Sequence, residues 1–299
     1  MNRVLALLLL ATSAPRLLWA QDAAIQEGRP AVAYGSNPAA GNTFTHDGVE
    51  LYYEVYGTGE PVLLVHGNGL SIGSLGAQID NFRENYMVIA MDSRDQGRSG
   101  DSPGPLTFEQ MTDDLAALID HLGIGPVNVL GWSDGGIEGL LLGIRHPSKV
   151  KKIAAMAANL NSSEYAFYPE AIDLIESSVD AASQAADTPE GRRAFKVASI
   201  MLDQPNIEPN ALEAITAPTL VLAGDHDVIR DEHTLEIFHH IPNGQLAILP
   251  NSTHMVPFDD PELFNATVER FFRTPYVKKD RIKDVLRSFA EMESAATHQ

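Results

Sequence analysis

The 299-residue chain contains no cysteine, which excludes disulfides, thiol nucleophiles and thiolate metal sites together. Basic residues are scarce: 21 lysines and arginines stand against 40 aspartates and glutamates, a formal net charge of −19. A surface of that sign repels phosphate backbones and anionic lipid, so nucleic-acid binding and membrane-surface association are disfavoured. Long hydrophobic runs are missing as well, and none approaches the ~20 apolar residues that a membrane-spanning helix needs. What remains is ordinary globular composition, 44% hydrophobic and 20% charged, in a chain long enough to bury one large core.

The first residues read as an address. Arg3 supplies a positive start, Val4 to Ala11 a short apolar run, and Leu18-Trp19-Ala20 precedes the polar Gln21-Asp22. This is the layout of a secretory signal peptide over residues 1–20, cleaved after Ala20, and it predicts a periplasmic or secreted protein with no membrane attachment after cleavage. Residues 21–42, rich in Ala, Gly, Pro and Asn without periodicity, read as a linker or loosely docked arm.

From Thr43 the pattern is regular. "TFTHDGVELYYEVYG" alternates around Asp47-Gly48, a hairpin signal. "PVLLVHG", "YMVIAMD", "VNVLG", "KVKKIAAMAA", "TLVLAGD" and "QLAILP" are apolar runs expected of strands buried on both faces. Helical spacing separates them at 74–85, 107–122, 231–241 and 260–273. Alternation of this kind predicts an α/β fold, a mostly parallel doubly wound sheet with helices on both faces. Residues 43–159 and 217–273 form the predicted core. The interval 160–216 is too long for a simple crossover and reads as an inserted helical cap. Residues 274–299 read as an amphipathic extension docked at the surface, with a partner-binding helix as the alternative.

Residues 129–140, VLGWSDGGIEGL, carry the chemistry. Gly131-Trp132-Ser133-Asp134-Gly135 is a G-x-S-x-G pentapeptide after a strand and before a helical pattern, where the serine hydroxyl is exposed on a tight turn. A lone serine is un-ionised at neutral pH and needs a base and a group to orient that base. Among ten histidines, His46, His121, His146 and His298 fall in loops or at helix ends, and His233, His239 and His240 on an apparently exposed helix. His254 differs from these: it lies in "LPNSTHMVPFDDP", after a predicted strand and before the last helix of the core, at the sheet's carboxyl edge. The acid is expected between serine and histidine, and "VLAGDHDVI" offers Asp225 and Asp227. A metal site of Asp225, His226 and Asp227 is the rival reading, weakened because successive residues on extended chain point to opposite sides. "HGNGL" at 66–70 supplies backbone donors for an oxyanion: the N–H of Asn68, paired with that of Asp134.

The order HGxG, G-x-S-x-G, strand–acid, strand–His resembles the α/β-hydrolase superfamily over roughly residues 43–273. "MDSRDQGRSG" is similar to that family's Asp-x-Arg-Gly-x-Gly-x-Ser segment, with Asp95 where glycine is usual. In the family the acid commonly stands in a Gly-x-x-Asp arrangement, which implies Asp227, with Asp225 in reserve. A serine nucleophile sets the chain apart from the dehalogenase and epoxide-hydrolase branches, and HGNG from the HGGG lipases. "GWSDGG" is similar to the valacyclovirase (biphenyl-hydrolase-like) branch, and less closely to enol-lactonases and small-cap esterases. In that first branch an acid after the nucleophile is associated with α-amino esters, which would make Asp134 a substrate-binding residue. The alternative is that Asp134 faces solvent at a helix N-terminus, where a carboxylate is favourable anyway. The resemblance implies a cofactor-free serine hydrolase acting on a small ester or lactone. A non-catalytic binding protein on the same scaffold, and transfer of the acyl group to peroxide or an alcohol, are the rival readings. Oligomeric state is left open.

Overall fold

The computed structural model describes residues 32–297; the expected signal peptide and most of the expected linker lie outside them. Asp47 and Gly48 take φ of 45° and 75°, the left-handed pair that a two-residue hairpin turn demands. They join β1 (Gly41–His46) to β2 (Val49–Tyr56) in antiparallel register, with His46 opposite Val49. The other strands are β3 (Glu60–Val65), β4 (Tyr86–Met91), β5 (Val127–Trp132), β6 (Val150–Met156), β7 (Thr219–His226) and β8 (Gly244–Thr253). The sheet order is β1-β2-β4-β3-β5-β6-β7-β8, parallel from β4 to β8.

Both faces of this sheet are covered, which is why its strands read as unbroken apolar runs. Leu63 and Val65 of β3 join the core on one side, with α2 (Phe108–His121) and α3 (Asp134–Arg145). Val62 and Leu64 point the other way, toward α1 (Gly76–Phe82) and α8 (Pro261–Arg273). The stripe predicted for 107–122 is the buried face of α2, with Leu115, Leu118 and Ile119 inside and Thr107 capping the N-terminus by accepting the Gln110 N–H. Truncating a core leucine such as Leu64, fully buried, is expected to cost about 2–5 kcal/mol.

Between β6 and β7 lie α4 (Pro169–Gln184) and α5 (Pro189–Asp203). The ends of the interval expected to form a cap belong to the core instead: Leu160, Leu212 and Ile215 are fully buried in the main cluster. Helix α6 (Asp231–His240) follows β7, the short α7 (Val256–Asp259) follows β8, and α9 (Lys283–Thr297) ends the described chain.

Several expectations need correction. Residues 32–40 are not a loose linker: Tyr34 donates to Asp80 at 2.6 Å, and Glu54 accepts the N–H groups of Gly35 and Asn37. β8 runs past Pro250 to Thr253, because the Asp225 carboxylate accepts the Asn251 and Ser252 N–H groups at a bulge where ladder bonds fail. His233 is not at the surface but fully buried. Finally, α9 is amphipathic but not docked: Leu286 and Phe289 remain 61% and 58% exposed.

Candidate active site

Ser133 sits between β5 and α3 with φ 57° and ψ −118°, a conformation costing roughly 1–3 kcal/mol for a non-glycine residue. The flanking glycines make it possible. A Cβ on Gly131 would lie 1.9 Å from the Gly135 carbonyl oxygen, and one on Gly135 would lie 2.2 Å from that of Val65. The turn is tied down by the Ser133 N–H to the Met156 carbonyl at 2.8 Å, and the Ser133 carbonyl accepts from Gly136.

His254 follows β8 at the same edge. Trp132, the residue before the serine, donates its indole N–H to the His254 carbonyl at 2.9 Å and packs edge-on against Phe258. The sequence offered no reason to single out Trp132, yet its side chain holds the histidine loop against the serine turn. Asp227 follows β7 and accepts from His254 Nδ1 at 2.8 Å. The Ile229 N–H also donates to it, and its carboxylate is fully buried. That bond leaves His254 Nε2 as the free, basic nitrogen. Asp225 is turned elsewhere, onto His226 and the β8 bulge; these donors hold its pKa down at about 2. Asp225 and Asp227 thus serve different partners, which also removes the geometry of a shared metal site.

The HGNG turn lies beside the serine, since a Cβ on Gly67 would sit 3.3 Å from that of Ser133. Its histidine is structural. His66 Nε2 accepts the Ser93 N–H and Nδ1 therefore donates to the Gly67 carbonyl at 2.8 Å. Burial holds its pKa below the usual value, so the ring is neutral. The next N–H, of Gly69, is fixed by Gln96 at 2.8 Å. Asp134, at the first helical position of α3, has no intrahelical acceptor for its own N–H.

The Asp134 carboxylate does not face solvent. It is 5% exposed, accepts from Asn68 Nδ2 at 2.8 Å, and burial pushes its pKa up to about 6. One helical turn further, Glu138 is 1% exposed, with Ser93 beside its carboxyl group. Burial, with the neighbouring carboxylates of Asp134 and Asp114, raises its pKa well above the usual range. An apolar face containing one glutamate carried no sequence signal for this.

Asp95, placed where the resemblance has glycine, adopts the left-handed φ of 61°. Its carboxylate accepts from Ser102 and from Lys196 of α5 at 2.8 Å, while Arg193 donates to its carbonyl at 2.6 Å. The departure from the family pattern thus becomes an anchor for the cap.

A family model described as alpha/beta hydrolase fold matches residues 60–180, from β3 into α4. The chain is 27% identical to 3-oxoadipate enol-lactonase 2 of Acinetobacter baylyi over 256 residues, 76% of this chain and 95% of that one. It is 26% identical to the human serine hydrolase BPHL over 267 residues, covering 82% and 90%. A thermophilic esterase from Thermogutta terrifontis superposes with a TM-score of 0.66 at 25% identity, covering 80% of this chain and 98% of that structure. The chain has the α/β-hydrolase fold and is similar to members of the α/β-hydrolase superfamily. Its relatives are hydrolases, and hydrolysis is the activity they support.

Proposed function

We propose that the protein is a cofactor-free serine hydrolase that cleaves a small carboxylic ester or lactone through an acyl-enzyme on Ser133. The observation that carries the reading is the 2.8 Å bond from His254 Nδ1 to buried Asp227, at the sheet edge that also bears the strained Ser133. His254 Nε2 takes the Ser133 proton as Oγ attacks the carbonyl carbon. The N–H groups of Asn68 and Asp134 hold the oxyanion, and Asp227 stabilises the imidazolium. His254 then protonates the leaving alkoxide. Water, deprotonated by the same nitrogen, releases the acid and restores Ser133.

Ser133→Ala is expected to lower p-nitrophenyl ester turnover by at least about 10⁴-fold with an unchanged thermal midpoint. Turnover near wild type overturns the assignment. Failure of a fluorophosphonate probe to label Ser133 favours a non-catalytic binding protein, and products formed with added peroxide or alcohol reveal acyl transfer to those nucleophiles.

A second reading is that Asp134 selects α-amino esters. It is supported by the burial of that carboxylate beside the serine and its pKa of about 6, which an ammonium partner would lower. The preference for an α-amino ester over its desamino analogue, as a kcat/KM ratio, should collapse in Asp134→Asn. We also propose export to the periplasm or medium. Mature protein starting at Gln21 is the expected mass-spectrometric result, and an intact Met1 terminus overturns it.

A further inference from the structure

The Asn68 side chain stands apart from the machinery just described, which uses only that residue's backbone. Its amide nitrogen donates to Asp134 Oδ2 at 2.8 Å and to the Val197 carbonyl of α5 at 2.9 Å. Both partners are pure acceptors, so the orientation of the amide is dictated, and both of its hydrogens are committed. We infer that Asn68 is a positioning residue: its side chain locks cap helix α5, the Asp134 carboxylate and the turn beside Ser133 into one unit, so that seating the cap sets the oxyanion donors.

Three further observations support this. Both acceptors are buried, Val197 at 4% exposure and Asp134 at 5%, so water is a poor substitute partner. The rest of the turn is already rigid, through His66 on Gly67 and Gln96 on Gly69, leaving Asn68 as its link to the cap. Helix α5 is clamped one residue before Val197 by the Lys196–Asp95 pair and nearer its start by Arg193 on the carbonyls of Asp95 and Ser99. A shift of α5 therefore pulls on Asn68, and a shift of Asn68 moves its own N–H and the carboxylate beside the second donor. Asp134 faces Asn68 from the HGNG turn, His254 from the β8 loop and Glu138 from its own helix; the cations of α5 are spent elsewhere, Lys196 on Asp95, Arg193 on the Asp95 and Ser99 carbonyls and Arg192 on those of Ala186 and Asp187. Among the described residues, Asn68 is thus the hydrogen-bond donor that favours the ionised form of Asp134.

The kinetic part of this inference rests on the serine-hydrolase reading; the structural part does not. In the full chain, Asn68→Ala should lower kcat on p-nitrophenyl acetate by about ten- to a hundredfold with a smaller change in KM. The acid limb of the pH profile should move upward, and that movement should vanish in the Asp134→Asn background. Amide exchange should accelerate together at 67–70 and 189–203. Asn68→Ser, which keeps one donor hydrogen, should give an intermediate loss and serves where the alanine variant folds poorly. Unchanged kcat in both variants, or a loosened α5 with kcat intact, overturns the inference. If the wild type neither turns over esters nor labels at Ser133, the hydrolase reading fails on its own, and amide exchange still decides whether Asn68 couples turn and cap.

Discussion

The candidate active-site edge of the sheet and the seat of the cap lie a few residues apart, yet they are built on different plans. At the edge each functional side chain belongs to a short local motif after a strand: HGNG after β3, the serine turn after β5, Asp227 after β7, His254 after β8. The sheet order then brings them together. The cap is held by polar pairs far apart in sequence, Lys196 to Asp95 across 101 positions and Asn68 to Val197 across 129. The first plan places the candidate site residues through the backbone. The second leaves cap placement to a few side chains.

The largest effect that separates the two plans is expected at the edge. Asp227→Asn preserves shape but leaves His254 without its carboxylate, and kcat should fall about 10⁴-fold. Asp225→Asn, two residues away, should leave kcat within about threefold and act on the β8 bulge instead. Steady-state kinetics and thermal melts on the two variants check this, and equal losses of kcat would dissolve the distinction between the two aspartates.

A smaller effect is expected at the cap. Lys196→Met strands the Asp95 carboxylate, 1% exposed, and should destabilise the fold by about 2 kcal/mol, below the fully buried case because Lys196 is itself 23% exposed. Adding Asp95→Gly should recover part of that loss, since glycine removes both the unpaired charge and the strain of φ 61°. Urea melts of the single and double variants measure it, and additive losses would mean that the two residues do not act as a pair.

The legibility of the molecule follows the same division. Continuous runs such as "PVLLV" announce strands buried on both faces, a short-range pattern with a direct physical cause. The preference for Asp227 over Asp225 came instead from the resemblance to the α/β-hydrolases, since the residues alone leave both open. Glu138 and the Asn68 amide gave no such signal, because the burial of the one and the acceptors of the other are supplied only by the folded topology. His233 reads as a surface histidine in "DEHTLEIFHH", yet its Nε2 accepts the Leu160 N–H at 2.9 Å, at the root of the cap. Asp95 was visible as a departure from the family pattern, but its meaning lies in Lys196, in another helix.

His233 offers a pH test of the cap's attachment. Burial lowers its pKa to about 4, so between about pH 4 and 6.5 the unfolded chain binds the proton that the folded one refuses. Stability from this group is therefore complete above about pH 6.5 and is lost as the pH falls toward 4, by roughly 3 kcal/mol in all. Asp134 and Glu138 work in the opposite direction, since raised carboxyl pKa values favour the folded state on acidification. The measurement is accordingly a difference. His233→Gln, which keeps an acceptor for Leu160 but does not titrate, should lose less stability than wild type between pH 6.5 and 4.5. Parallel curves would show that the histidine does not report on the cap root.

The smallest effect is expected beyond both regions. Lys152 donates its ammonium to the carbonyls of Phe271, Phe272 and Thr274, closing the C-terminal end of α8 from within the sheet. Past that seal, Lys278 reaches the Pro242 carbonyl at 3.3 Å, while Val285, Leu286 and Phe289 of α9 stay more than half exposed. A chain ending at Pro275 keeps the whole of the Lys152 cap and removes little buried surface. Its Tm and kcat should match those of the full chain, because apolar area that is never buried contributes nothing to folding. In a protein of this size each 1 kcal/mol shifts Tm by about 2–4 °C, so a loss of several degrees would show that α9 packs against the core in solution. It would then be a third attached region, held by apolar contact where the cap is held by charge.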